Sequence, residues 1–147
     1  MKKLDRKGFT LVELLAVIVI LAIVVGITLV TVLPTMKKTR QNSFEVTPQT
    51  AADYLEKQYQ LYLIGEDTTV PFETGKSFSD LTNGTGVTIT ADQYKAAGLK
   101  PGNYDSGTWY INSSTGRACV VLTAKTGNGT DGEYYDVDPK VASSTGC

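Results

Sequence analysis

No charged residue lies between Glu13 and Lys37, and across residues 14–33 the only polar side chains are Thr28 and Thr31. As a helix, this 20-residue window would extend about 30 Å, the thickness of a bilayer's hydrocarbon core. Its Val and Ile residues are modest helix formers in water. In lipid, however, every backbone hydrogen bond must close within the segment, which favours helix regardless. The remaining chain is too small and too polar to enclose such an element, so a fully buried core helix or strand is excluded. A secretory signal is excluded as well: the run is too long, and "GITLVTVLPTMKK" offers no A-x-A cleavage site. A plain membrane anchor would account for the basic start, Lys2, Lys3, Arg6 and Lys7 against Asp5, on the cytoplasmic side. It leaves Glu13 unexplained, because a lone carboxylate in lipid is costly. Lys37, Lys38 and Arg40, on the far side of the run, also oppose that orientation rule.

The stretch "KGFTLVELLAVIVILAIV" joins five features in fixed order: a short basic leader, Gly8, Phe9, Glu13 and the long apolar run. In this it resembles the prepilin signature of the type IV pilin superfamily, with a short class III leader. The resemblance covers residues 1 to about 60 well and the rest only in general layout. It implies that an inner-membrane prepilin peptidase cuts between Gly8 and Phe9 and N-methylates Phe9. Phe9 and Glu13 stand four apart, on one helical face. The resemblance therefore makes Glu13 an assembly residue, whose carboxylate neutralises the Phe9 amine of its own chain or of a neighbouring subunit. A pair in apolar surroundings costs far less than either charge alone.

Two prolines punctuate the chain beyond the apolar run. Pro34 removes a backbone donor at the end of that run, so a kink or locally melted turn is expected near residues 26–34. Thr47-Pro48 is expected to restart the helix, with Thr47 as cap and Pro48 in the first position. Beyond it Ala51, Ala52, Leu55, Tyr59 and Tyr62 recur at helical spacing and should face a sheet, leaving Asp53, Glu56, Lys57 and Gln60 toward water or neighbours. After Gly65 the chain becomes rich in Gly, Thr, Ser and Asn. "TADQYKAAG" (90–98) carries a Thr90/Gln93 capping box and a Gly98 stop. Strand candidates are 86–90, 108–112, 118–123 and 133–137. The expected fold class is α+β: a long N-terminal helix packed at its C-terminal half on a small antiparallel sheet. The expected division is a leader (1–8), a transmembrane and assembly segment (9–33), the continuing helix (34–64) and an exported β-rich head (65–147).

Cys119 and Cys147, 28 positions apart, both fall in the exported part. A disulfide there would tie the tail to the sheet, and pilin-like proteins often staple a C-terminal loop in this way. Asp131, Glu133, Asp136 and Asp138 are weak calcium candidates, since their spacing is that of no defined calcium loop and equally fits a solvent-facing strand and turn. Asn83, Asn112 and Asn128 match the N-glycosylation pattern but read better as turn residues. With no histidine, no unpaired cysteine and no phosphate loop, the sequence gives no support for an enzyme or a cofactor. Residues 41–147 hold 7 basic and 13 acidic side chains, which argues against direct nucleic-acid capture. The resemblance implies a subunit of a type IV pilus serving adhesion, twitching motility or aggregation; the alternatives are a pseudopilin of type II secretion and a competence or minor pilin. The partners it implies are copies of the chain itself, the prepilin peptidase, an inner-membrane platform protein with its assembly ATPase, and the lipid membrane before assembly. The location it implies is the cytoplasmic membrane, head outward, and then a surface filament.

Overall fold

A computed structural model describes residues 10–126, 134 and 137–147. It is an α+β chain: a long N-terminal helix α1 (Leu11–Leu63) and a four-stranded antiparallel sheet. Two short helices, α2 (Phe78–Leu81) and α3 (Ala91–Ala96), lie on either side of β1 (Val87–Thr88) in sequence. After a 3₁₀ turn at Pro101–Asn103 come β2 (Tyr104–Ile111), β3 (Ala118–Ala124) and β4 (Val141–Ser143), paired in the order β1-β2-β3-β4. The chain forms two compact units, Met1–Met36 and Lys37–Cys147.

Helix α1 runs through both prolines without interruption, so neither the melted turn before Pro34 nor the restart at Thr47-Pro48 is found. Threonine hydroxyls bond backbone carbonyls along the same stretch, though none of these contacts is to the Val30 carbonyl that Pro34 leaves without its helical donor. Thr28 Oγ1 donates to the Val25 carbonyl (3.0 Å), Thr31 Oγ1 to that of Thr28 (3.2 Å) and Thr35 Oγ1 to that of Thr31 (2.9 Å). Thr47 is not a cap: its hydroxyl turns back to the Ser43 carbonyl at 2.7 Å.

In the second unit the buried stripe of α1 begins earlier than its sequence spacing suggests. Phe44, Thr47, Pro48, Ala51, Ala52, Leu55, Gln58 and Tyr59 recur every three or four residues and are all buried. Tyr62 departs from the expected stripe. It is 47% exposed, with one ring face on Phe78 at 5.0 Å. Glu56 also departs, being half-buried, with Oε1 accepting the Ala118 N–H at 2.9 Å.

On β2 the inward positions are Tyr104, Gly107, Trp109 and Ile111; on β3 they are Ala118, Val120, Leu122 and Ala124. Trp109 pairs with Val120 and Gly107 with Leu122, while an irregularity between Tyr104 and Ser106 sets Asp105 outside the regular register. Gly107 is required by packing. A Cβ there would overlap the Tyr94 hydroxyl and come within 2.9 Å of Leu122 Cδ2. Helix α3 begins at the expected capping box, with Thr90 N–H donating to Gln93 Oε1 at 2.9 Å, and Gly98 follows it at φ +76. The strand expected at 133–137 is not formed at its described positions, since Tyr134 lies in a turn and Val137 outside any strand. The fourth strand is Val141–Ser143 instead. It continues the sheet by pairing Val121 with Ser143 and Thr123 with Val141.

Candidate functional site: a helix cap beside an uncovered apolar run

Leu11, at the start of α1, is 80% exposed and Val30 is 75% exposed, and every residue between them is exposed too. Burying one Leu or Ile side chain is worth roughly 1.5–3 kcal/mol. A surface of this extent is therefore covered in use, by lipid or by other chains.

At its head sits a reciprocal cap. Thr10 donates both its N–H (2.8 Å) and its hydroxyl (2.9 Å) to Oε2 of Glu13, and the Glu13 N–H donates to Thr10 Oγ1 at 3.3 Å. This is a Thr-x-x-Glu capping box at the N-terminus of α1. The sequence pattern points Glu13 to a partner at Phe9, which lies outside the described residues; among the described residues its partner is Thr10. The missed signal was the same pattern that correctly placed Thr90 and Gln93. Oε1 of Glu13 makes no hydrogen bond among the described residues. Among the described residues the carboxylate is thus held by one oxygen only. Gly8 and Phe9 lie outside the described residues.

Residues 3–29, which include the cap and most of the apolar run, match the family model described as the prokaryotic N-terminal methylation motif. The chain carries a type IV pilin-like class III leader peptide. No curated protein and no solved structure matches it. A leader of this kind points to a pilin-like structural subunit and implies processing by prepilin peptidase and pilus polymerisation. Together with the apolar run of α1, it fits a membrane-anchored precursor.

The pilin-like chain joins Cys119 to Cys147 in a disulfide. Around it the tail is pinned by polar contacts to β3 and α1. Ser144 N–H donates to the Val120 carbonyl (2.9 Å), and Ser144 Oγ bridges from the Val120 N–H (3.0 Å) to the Ala118 carbonyl (3.0 Å). Thr145 donates its N–H (3.0 Å) and hydroxyl (2.8 Å) to Oε1 of Gln49 on α1. Near β2, Asp105 Oδ2 accepts the Thr126 hydroxyl (2.6 Å) and N–H (2.9 Å). These bonds, helped by Lys125 and Lys140, hold its carboxyl below the usual range. Tyr94 Oη and Trp109 Nε1 are buried without a hydrogen-bond partner among the described residues, and burial pushes the Tyr94 hydroxyl up to about 12.

Of the calcium candidates, Asp131, Glu133 and Asp136 lie outside the described residues, and Asp138 is exposed. Among the described residues no three potential metal-ligating side chains gather. Asn83 is exposed in a turn, and Asn112 Oδ1 accepts the Ser114 N–H at 3.0 Å, as a turn residue does. Asn128 lies outside the described residues.

Proposed function

We propose that the chain is the structural subunit of a surface type IV pilus, used for adhesion, twitching motility or aggregation. The observation that carries this reading is the combination of the leader motif with an uncovered apolar run headed by Glu13, an acid capped on one oxygen. On this reading residues 1–8 leave as the leader. The new Phe9 amine, N-methylated, then meets Oε1 of Glu13 of its own chain or the next. Residues 9–33 line the filament interior, residues 34–64 carry the helix into the head, and residues 65–147 form the exported β-rich part. Pro34 and Pro48 are where the helix would bend when subunits pack. The platform protein and assembly ATPase draw each subunit out of the membrane. The tail pinned by the disulfide suits a surface exposed to shear.

Intact mass spectrometry of filaments sheared from the cell surface tests this. The expected species starts at methylated Phe9 and is two hydrogens lighter than its reduced form. Processed protein that stays in the envelope without long fibres would favour a pseudopilin or a competence or minor pilin. An uncleaved chain never incorporated into fibres would sink the reading. Two variants separate cap from charge. Glu13→Gln keeps an acceptor for Thr10 but loses the ion pair, whereas Glu13→Ala loses both. Both should insert normally and assemble poorly, and wild-type fibres from Glu13→Gln would remove the ion pair from the mechanism.

A further inference from the structure

Lys37, Lys38 and Arg40 are the unexplained charges of this chain, because basic residues on the exported flank of a membrane span oppose its orientation. If the chain is processed as a pilin, Lys2, Lys3, Arg6 and Lys7 depart with the leader. The processed chain then has basic side chains on only one side of its apolar run, beginning four residues past Leu33 on the same helix. All three are exposed. Residues 41–147 beyond them are net acidic, so the cluster is a local positive belt at the edge of the span.

One side of this belt has a built pocket. Thr39, Arg40, Ser43 and Tyr134 line a recess of about 210 Å³. Lys37 and Arg40, three apart, and Arg40 and Ser43, again three apart, share one helical face. Proton accounting singles out one donor in the recess. Thr47 spends its hydroxyl proton on the Ser43 carbonyl at 2.7 Å. At 3.0 Å, Tyr134 must therefore donate to Thr47 Oγ1. The remaining contact, Ser43 Oγ to Tyr134 Oη, is long at 3.4 Å and can only be donated by Ser43. Ser43 thus holds a weakly engaged proton beside a guanidinium, which suits a tetrahedral oxyanion.

We propose that Lys37, Lys38, Arg40 and Ser43 bind the phosphate of an anionic lipid headgroup on the outer face of the membrane while the subunit awaits assembly. Arg40 and Ser43 make the directed contacts, and the two lysines contribute charge. The lipid is favoured over the acidic head of a second copy because the belt sits where the apolar run ends, at headgroup level. The site holds the processed subunit at a fixed depth after its cytoplasmic basic side chains are gone, and extraction into a filament must break it. The depth-holding role rests on leader removal, as in the proposed reading; the lipid site itself requires neither leader removal nor filament formation.

The test is native mass spectrometry of the chain starting at Phe9, released from nanodiscs of equal phosphatidylcholine and phosphatidylglycerol. The full chain, residues 1–147, is run in parallel. The expected result is enrichment of retained phosphatidylglycerol. Each basic residue near an anionic surface contributes roughly fivefold, so the Lys37→Gln/Lys38→Gln/Arg40→Gln variant should lose on the order of 100-fold of that preference. Arg40→Lys and Ser43→Ala, which keep the charge, should each lower retention severalfold, whereas Lys38→Arg should not. These substitutions lie on the exposed helix surface, away from the buried stripe. Equal retention of both lipids by the wild type, or a preference surviving in the triple variant, overturns the proposal. So does wild-type retention by both Arg40→Lys and Ser43→Ala, which would reduce the pocket to diffuse charge. Displacement of the lipid by millimolar inorganic phosphate would mark an adventitious anion site. Loss of a dimer species with lipid retention unchanged would reassign the belt to a second copy's acidic head. A preference seen in both chains from cells that never cleave the leader would leave the lipid site standing while the filament reading fell.

Discussion

Reducing the Cys119–Cys147 disulfide perturbs the head while leaving every side chain in place. The bond closes a loop of 28 residues that contains β4 and the whole tail. In the chain-entropy treatment a loop of this length stabilises by about 3.6 kcal/mol at 25 °C. For a unit of this size that corresponds to a fall in Tm of roughly 10–18 °C on reduction. Reduction is a better perturbation than substitution, because Cys119 is buried and an alanine there would add a packing loss. The chain has a single tryptophan, Trp109, fully buried between sheet and helix. Its fluorescence therefore reports on the head alone in full-length protein held in detergent, unconfused by the apolar run. Oxidised and reduced samples would be melted side by side and unfolded in urea at equal detergent. The slope should be unchanged or slightly raised by reduction, since the reduced unfolded chain is more extended. A reduced protein that melts within about 3 °C of the oxidised one would refute the reasoning. The Ser144 and Gln49 contacts would then be holding the tail without help from the covalent bond.

Further expectations concern the packed interior. Gly107→Ala drives a methyl into the Tyr94 hydroxyl and should cost about 1–3 kcal/mol in urea unfolding; combining it with Tyr94→Phe should recover part of that loss. Tyr94→Phe alone should be neutral or stabilising, because it removes a buried hydroxyl that has no partner. Ser144→Ala strips the acceptor from the buried Val120 N–H and should cost about 1–3 kcal/mol. The Tyr94 hydroxyl, at about 12 when folded, lies above the ordinary value near 10. Its contribution is complete below pH ~10 and lost as pH rises from about 10 to 12, so Tyr94→Phe should flatten the alkaline limb of stability against pH. Asp105 is depressed when folded, so its contribution is present above the ordinary carboxylate range and lost as pH falls through the lowered value. Asp105→Asn should flatten the acid limb, and an unchanged acid limb would show that the Thr126 contacts are not retained in solution.

The α+β architecture, the helical stripe of Ala51, Ala52, Leu55 and Tyr59, and the Thr90/Gln93 cap were legible because each rests on local spacing and short-range hydrogen bonds. The errors arise where distant segments decide. Glu56 has the spacing of a solvent-facing residue, yet the Ala118 N–H, 62 residues away, takes it as an acceptor. Gln58 is buried because its Oε1 receives the Thr69 N–H at 2.7 Å, a contact no periodicity reveals. The fourth strand falls at Val141–Ser143, while the described positions of the aromatic 133–137 stretch, Tyr134 and Val137, lie outside any strand; pairing to β3, with Ser144 continuing the ladder, outweighs local β propensity there. Pro34 does not interrupt α1, and threonines at 28, 31 and 35 bond backbone carbonyls along the same stretch. In the sequence the first two of these stand out only as exceptions to an apolar run.

The same lesson bears on Glu13. Read as a charge, it needs a cation, and the sequence offers only the amine that leader cleavage would create at Phe9. Read as a helix-terminal residue, it already has a partner, since both donors of Thr10 converge on one of its oxygens. The two readings are compatible because a carboxylate has two oxygens and the cap uses one. Thr10 follows the proposed cut, so both residues of the cap remain in the chain after the leader is removed. A subunit waiting in the membrane therefore need not hold a wholly unsatisfied carboxylate, which would be costly in lipid. What cleavage adds is the cation. On the proposed reading, docking would gain an ion pair at Oε1 without first breaking the cap, so the assembly step would keep the charge complementarity and avoid most of the desolvation cost that an uncapped glutamate would bring to it.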